Sequence, residues 1–274
     1  MNVEEEISKI SKFIKSGLVV LSLILVAGLL YYFGDDAVAT VSSNIKNAKK
    51  LPIYCVDRDD NKVALSFDAA WGNEDTAAIL EILAKHKVNV TFFMTGGWVE
   101  SYPDDVKAIA AAGHDLGNHS ENHKHMSELS KQQCVEEIMQ VHNKVKELTG
   151  KDMMLFRPPY GDYNDTLLDA VKECNYHAIQ LDVDSLDWKD YGAESIINTV
   201  VNHKHLGKGS IILCHNGAKY TKDALESLIT GLQEKGYEIV PISKIIYTGE
   251  YEMDHEGRQH ETGKKNEGIK EEQR

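Results

Sequence analysis

No two of the four cysteines are spaced C-x-x-C, which argues against a zinc ribbon or a thioredoxin-like redox site. Cys55, Cys134, Cys174 and Cys214 stand far apart in the chain and read as reduced, buried residues, because cysteine is among the most buried residue types. Positive charge is also in short supply. Lys and Arg number 30 against 43 Asp and Glu, a formal net charge of −13 over 274 residues. That balance argues against a nucleic-acid partner, since a phosphate backbone rewards clustered Lys and Arg. It also argues against adhesion to anionic lipid through a basic face. A neutral or mixed-charge polymer remains compatible. The hydrophobic fraction of 42% is enough for one sizeable core.

One apolar run is long. Gly17 to Phe33 reads GLVVLSLILVAGLLYYF without a charge. As a helix it reaches about 25 Å, close to the ~30 Å of a bilayer core. Lys9, Lys12 and Lys15 precede it, and Asp35 and Asp36 follow. The positive-inside rule then puts residues 1–16 in the cytoplasm, makes 17–34 a single transmembrane helix and places the rest outside the cell. Ala37-Val38-Ala39 has the spacing of a signal-peptidase site, so cleavage after Ala39 and secretion is the rival reading. Both export the remainder of the chain.

Residues 35–60 read as a linker, 61–249 as the folded domain and 250–274 as a charged, disordered tail without apolar period. Within the domain, short apolar runs alternate with amphipathic stretches. Val63–Phe67, Val90–Met94, Met153–Phe156, His177–Val183, Ser210–Cys214 and Glu238–Val240 are the strand candidates. Strands alternating with helices predict parallel βα units, and six or seven of them predict a (β/α) barrel.

In such folds the chemistry gathers at the carboxyl ends of strands. The polar residues that break the apolar runs lie there: Asp68 after Val63–Phe67, Arg157 after Met153–Phe156, Asp184 and Asp187 after Val183, and His215 after Ser210–Cys214. An aspartate inside SFDAAW must be solvated, paired or functional. Arg157, in FRPPYG, offers a guanidinium fork for a carboxylate, on a turn stiffened by two prolines. His119 and His123 in HSENH are four apart, which on a helical turn puts two imidazoles on one face for one metal ion. His125 and His86 read as solvent-facing or structural. A carboxylate from Asp184 or Asp187 beside His215 would suit it to general acid catalysis.

SFDAAWG, HSENH, FRPPYG, DSLDW and LCH occur in that order from about Lys62 to Ile246. Together they resemble the five motifs of the polysaccharide deacetylases with a NodB-type domain (carbohydrate esterase family 4). SFDAAWGNEDT looks most like the sporulation-type, PdaB-like branch of endospore-forming bacteria. The resemblance implies a distorted (β/α) barrel, preceded here by the membrane helix, and hydrolysis of an N-acetyl group on an amino sugar of a cell-wall glycan such as peptidoglycan or a chitin-like polymer. Position by position, it implies that Asp68 is the base, that Arg157 holds it, that His119 and His123 bind the metal, that His215 is the acid and that Asp187 tunes it. The backbone N–H of Tyr160 would donate to the oxyanion, and Trp188 and Leu213 would wall the acetyl pocket. A divalent cation is implied, with zinc the expectation from imidazole ligation and cobalt or manganese compatible. No protein partner is expected beyond the glycan and the membrane.

The sequence departs from the family at one place. Members commonly carry two adjacent aspartates in the first motif, the base and then a metal ligand; here the second position is Ala69. Asn73, Glu74 or Asp75 could reach back from the next helix start to replace it. A degenerate member that binds glycan without turnover is the alternative function, and hydrolysis of another small amide or ester is a third.

Overall fold

A computed structural model describes residues 50–262. The expected membrane span at 17–34, the cytoplasmic segment and most of the linker lie outside the described residues. Among the described residues no helix is long and apolar enough to cross a membrane.

In chain order the elements are β1 (Cys55–Val56), β2 (Lys62–Ala69), α1 (Thr76–His86), β3 (Thr91–Met94), α2 (Gly96–Ser101), α3 (Pro103–Ala111), β4 (Asp115–Asn118), α4 (Lys131–Thr149), β5 (Leu155–Phe156), α5 (Asp165–Glu173), β6 (His177–Ala178), β7 (Val183–Asp184), α6 (Ala193–Val201), β8 (Ile211–His215), α7 (Thr221–Glu234), β9 (Glu238–Val240), β10 (Tyr251–Met253) and β11 (Arg258–Glu261). Helix ends follow local chemistry. Ser130 and Gln133 form a reciprocal capping box at the start of α4, and Gly150 closes it in a left-handed conformation. Asn164 caps α5 by accepting from Leu167 N.

Eight strands form one parallel sheet in the order β6-β5-β4-β3-β2-β8-β7, with β9 also on β2. The sheet is curled into an incomplete barrel wrapped by helices. β2 is central and buried along nearly its whole length, as expected of a strand covered on both faces. Phe67 and Phe92 stack at 5.2 Å within the main core.

β6 and β7, at the two ends of the sheet order, do not pair with each other, and residues 52–56 span the seam between the end of β6 and the start of β8. Ile53 N donates to Ala178 O at 2.8 Å, Gln180 N to Ile53 O at 2.7 Å, and Val56 N to Gly209 O at 3.0 Å. Residues 50–60 are therefore part of the domain, not linker. Gly209 makes this possible: at φ +76, a Cβ there would stand 1.8 Å from Val56 O. Gly209→Ala combines left-handed strain with a backbone clash, so we expect a loss of about 2–4 kcal/mol in chemical denaturation. An unchanged midpoint would show that the seam can open without cost to the fold.

The tail expected to lack structure from residue 250 is ordered as far as Glu261. β10 and β11 form an antiparallel hairpin, and β11 pairs in parallel with β1. Polar contacts hold it in place of an apolar stripe. Gln259, fully buried, exchanges hydrogen bonds with Tyr247 N and O at 2.8 and 2.7 Å. His260 lies between Asp57 and Asp254, 3.1 Å from each. Residues 263–274 lie outside the described residues.

Candidate active site

A cleft of about 480 Å³ opens at the carboxyl ends of β2, β4, β5, β7 and β8. It is lined by Asp68, Ala70, Trp71, His119, His123, Arg157, Pro158, Tyr160, Gly161, Gln180, Leu181, Asp184, Trp188, Leu213 and His215. Eight of the nine residues given a role by the family resemblance line it, and the ninth, Asp187, lies directly behind His215.

Asp68, near the end of β2, is only 5% exposed. Arg157 Nη1 donates to its Oδ1 at 2.7 Å. The expected two-nitrogen fork is not formed, because Arg157 Nη2 turns instead to Ser66 Oγ at 2.9 Å and to Gln180 O at 3.4 Å. The guanidinium lies over the Phe93 ring at 4.1 Å, and Nε is buried without a partner among the described residues. Burial pushes the Asp68 carboxyl up. The charges of Arg157, His119 and His215 outweigh that push and hold it below the ordinary carboxylate range. Asp68 is therefore ionised and fixed at neutral pH, as a proton acceptor must be. Ser66 went unnoticed in the sequence, although its place two residues before Asp68 puts both on one face of β2.

HSENH does not form the helical turn expected of it. After β4 the chain runs irregularly, with Ser120 at φ 65 and His123 at φ 52, both left-handed. The cause is competition from side chains for backbone N–H groups. Asn118 Oδ1 accepts from Ser120 N, Ser120 Oγ accepts from His123 N, and the Glu137 carboxylate accepts from Asn122 N and Nδ2. The two imidazoles still meet, with centroids 4.9 Å apart.

His119 Nδ1 lies 2.8 Å from Arg157 O. A carbonyl only accepts, so Nδ1 carries the proton and Nε2 is left with its lone pair, 3.5 Å from Asp68 Oδ2. Burial lowers the His119 pKa to about 4 and lowers that of His123 as well. Neutral imidazoles with one nitrogen fixed by a backbone acceptor are the form in which histidine binds a cation.

The candidates for replacing the carboxylate missing at Ala69 are all engaged elsewhere. Asn73 Nδ2 donates to Asp105, and Asp75 pairs with Lys222 at 2.8 Å. Glu74 packs beside Gly72 and does not line the cleft. Among the described residues no group of three or more His, Cys, Asp or Glu could hold a metal ion. The donor set fits a cation held on two imidazoles with its remaining positions open, and does not fit a closed structural site.

Opposite Asp68, His215 ends β8. Its Nδ1–H donates to Asp187 Oδ1 at 2.7 Å, and its backbone N–H to Asp187 Oδ2 at 2.6 Å. Thr221 Oγ1 donates to the same Oδ2 at 2.6 Å. Burial alone would lower the His215 pKa. The Asp187 hydrogen bond and the nearby carboxylates overcome it and leave the pKa raised. Of the two aspartates left open by the sequence, Asp187 is the partner. Asp184 lines the cleft and accepts from Leu186 N. Thr221, at the start of α7, was not foreseen, because nothing local in the sequence links it to a residue 34 positions away.

Tyr160 holds a left-handed backbone, φ 59, after Pro158-Pro159. Such a conformation in a non-glycine residue costs of order 1–3 kcal/mol and is common at functional sites. Its ring stacks on His125 at 4.2 Å and meets His123 edge-on at 4.6 Å. His125, read from the sequence as solvent-facing or structural, thus buttresses the loop that carries Tyr160. Leu213 and Trp188 line the cleft.

Residues 56–179 match the model of the polysaccharide deacetylase family. The chain is 33% identical over 205 residues to the uncharacterized protein YlxY of Bacillus subtilis, covering 75% of this chain and 63% of that one. It therefore spans somewhat under two thirds of that relative. It is 33% identical over 196 residues to a peptidoglycan-N-acetylglucosamine deacetylase of Bacillus cereus, covering 70% of this chain and 91% of the relative. Among solved structures, wild-type BA3943 of Bacillus anthracis, described as a CE4 family pseudoenzyme, superposes with a TM-score of 0.69 at 29% identity, over 79% of this chain and 75% of that one. A BA3943 mutant described as having restored enzymatic activity superposes equally well.

Proposed function

The chain belongs to the polysaccharide deacetylase family, and on that premise we propose that it hydrolyses N-acetyl groups from the amino sugars of a peptidoglycan-type glycan. The observation that carries this reading is the pair of differently tuned dyads brought into one cleft by the adjacent strands β2 and β8. Asp68 is held ionised by Arg157, and His215 is biased toward its protonated form by Asp187. Separation of two titratable groups in this way supports Asp68 as base and His215 as acid.

A divalent cation, when bound on His119 and His123, supplies Lewis-acid polarisation of the amide carbonyl. The chain's own residues do the rest. Asp68 takes a proton from the attacking water while Arg157 fixes its orientation. His215 delivers a proton to the amine nitrogen as the carbon–nitrogen bond breaks, and the Asp187 carboxylate steadies the imidazolium that precedes transfer. The Tyr160 N–H donates to the developing oxyanion, and Leu213 and Trp188 enclose the acetyl methyl. A run such as 17–34, with lysines before it and aspartates after it, supports tethering of this activity to the outer face of the cell membrane, and SFDAAWGNEDT supports a role in spore formation.

The test is release of acetate from chitooligosaccharide and from peptidoglycan by the full-length protein, with zinc, cobalt or manganese and with chelator. Acetate release abolished by chelator supports the proposal. A second reading, glycan binding without turnover, draws on Ala69 and on the pseudoenzyme relative. Glycan binding with no acetate under any metal would establish that reading instead. The ligand assignment has its own test. His119→Ala should reduce retained metal to background by elemental analysis, and unchanged metal content would overturn it.

A further inference from the structure

We propose that the Trp71 indole is a carbohydrate-stacking platform that selects which sugar of a glycan chain presents its amide to Asp68 and His215. The inference rests on the glycan reading above for its ligand class. Trp71 is 57% exposed, and three of the six exposed large hydrophobic residues among those described, Trp71, Tyr160 and Trp188, line this one cleft. Exposed aromatics concentrated around a polar site mark a binding surface.

Trp71 stands apart from the other two in where it sits and how it is held. Its ring centroid lies 6.1 Å from that of His123 and 6.0 Å from that of His215. The indole therefore spans the mouth between the imidazole that would hold the cation and the acid. Its backbone is pinned from two directions. The next carbonyl, Gly72 O, accepts from Trp98 Nε1 at 2.7 Å and from Asn216 Nδ2 at 3.4 Å. Gly217 gives room on the other side, since a Cβ there would stand 3.0 Å from Trp71 O. The chain thus holds the backbone beneath the indole and presents a large apolar plane to water beside the acid. Core packing does not explain it, because the ring is mostly exposed. A pyranose ring has an apolar C–H face that matches such a plane, and a pre-positioned partner binds with little ordering cost. A sugar seated on Trp71 sets the register of the glycan, and so which acetamido group enters the pocket.

Calorimetry with tetra-N-acetylchitotetraose on the zinc-loaded, full-length protein tests this. Trp71→Ala should weaken binding about tenfold, and Trp71→Tyr should recover most of it, because the plane is restored. Kinetically, Trp71→Ala should raise KM for the tetrasaccharide about tenfold with kcat changed less than threefold. Unchanged affinity in Trp71→Ala, no recovery in Trp71→Tyr, or a loss of retained zinc would each overturn the proposal. Binding is read without turnover, so a protein that binds the tetrasaccharide but releases no acetate sinks the deacetylase reading and leaves this one standing.

Discussion

Asp68→Asn is expected to lower kcat for acetate release by about 10³-fold, in the range measured for the loss of a positioned general base. The amide keeps the shape of the carboxyl and can still accept from Arg157 Nη1, which now lies 2.7 Å from Oδ1. It cannot take a proton from water. The fold should survive with a loss of about 1–3 kcal/mol, because a buried guanidinium loses its charged acceptor but keeps Ser66 Oγ and Gln180 O. Single-turnover acetate release reads the first effect and chemical denaturation the second. Retention of more than a tenth of wild-type kcat would remove Asp68 from the role of base. The depressed Asp68 pKa has a pH consequence as well. A carboxylate lowered on folding contributes stability above its unfolded value, near 3.9, and that contribution is lost as pH falls through the lower folded value. The wild-type protein should therefore lose stability on acidification in a step that Asp68→Asn removes.

The strand ends were legible in the sequence because burial there is severe. Asp68, Arg157 and His215 each interrupt an apolar run, and an uncompensated charge in such a place is too costly to be incidental. The roles around them were less visible, because partners come from distant parts of the chain. Ser66 and Thr221 look like ordinary small polar residues until the fold sets one beside Arg157 and the other beside Asp187. HSENH misled through its spacing. Four residues apart suggests a helix, but Asn118, Ser120 and Glu137 tie up the N–H groups that a helix would need, and the histidines meet through a left-handed loop instead. The carboxyl-terminal hairpin was hidden for a related reason. Its strands are short and its anchors, Gln259 and His260, are polar, so no apolar alternation signals them. The alternation of strands and helices was plain, as six or seven units, whereas the seam spanned by residues 52–56 depends on Gly209, which the sequence offered only as one glycine among 20.

Asp187→Asn should have the second large effect, and its signature is a moved pH limb as well as a lost rate. Asp187 is fully buried and accepts three hydrogen bonds, from His215 Nδ1, His215 N and Thr221 Oγ1. An asparagine has one acceptor oxygen for these three donors and adds two donors of its own, so at least one contact becomes a donor facing a donor. We expect kcat to fall by about 10²–10⁴-fold. The sign of the pH change follows from the balance at His215. Burial lowers its pKa, and the Asp187 hydrogen bond with the surrounding carboxylates raises it further than burial lowers it. The protonated imidazole is the acid, so activity is present below that raised pKa and lost as pH rises through it. Without the Asp187 charge, burial gains weight and the basic limb of the kcat profile must move toward lower pH. Thr221→Val removes one donor to the same carboxylate and leaves the ion pair intact. It should cost far less rate and leave the basic limb nearly in place, because the Asp187 charge that raises the His215 pKa is untouched. A basic limb that stays fixed in Asp187→Asn would mean that another group is the acid. A fall in rate with the limb displaced downward would assign proton delivery to His215 and the tuning of that delivery to Asp187.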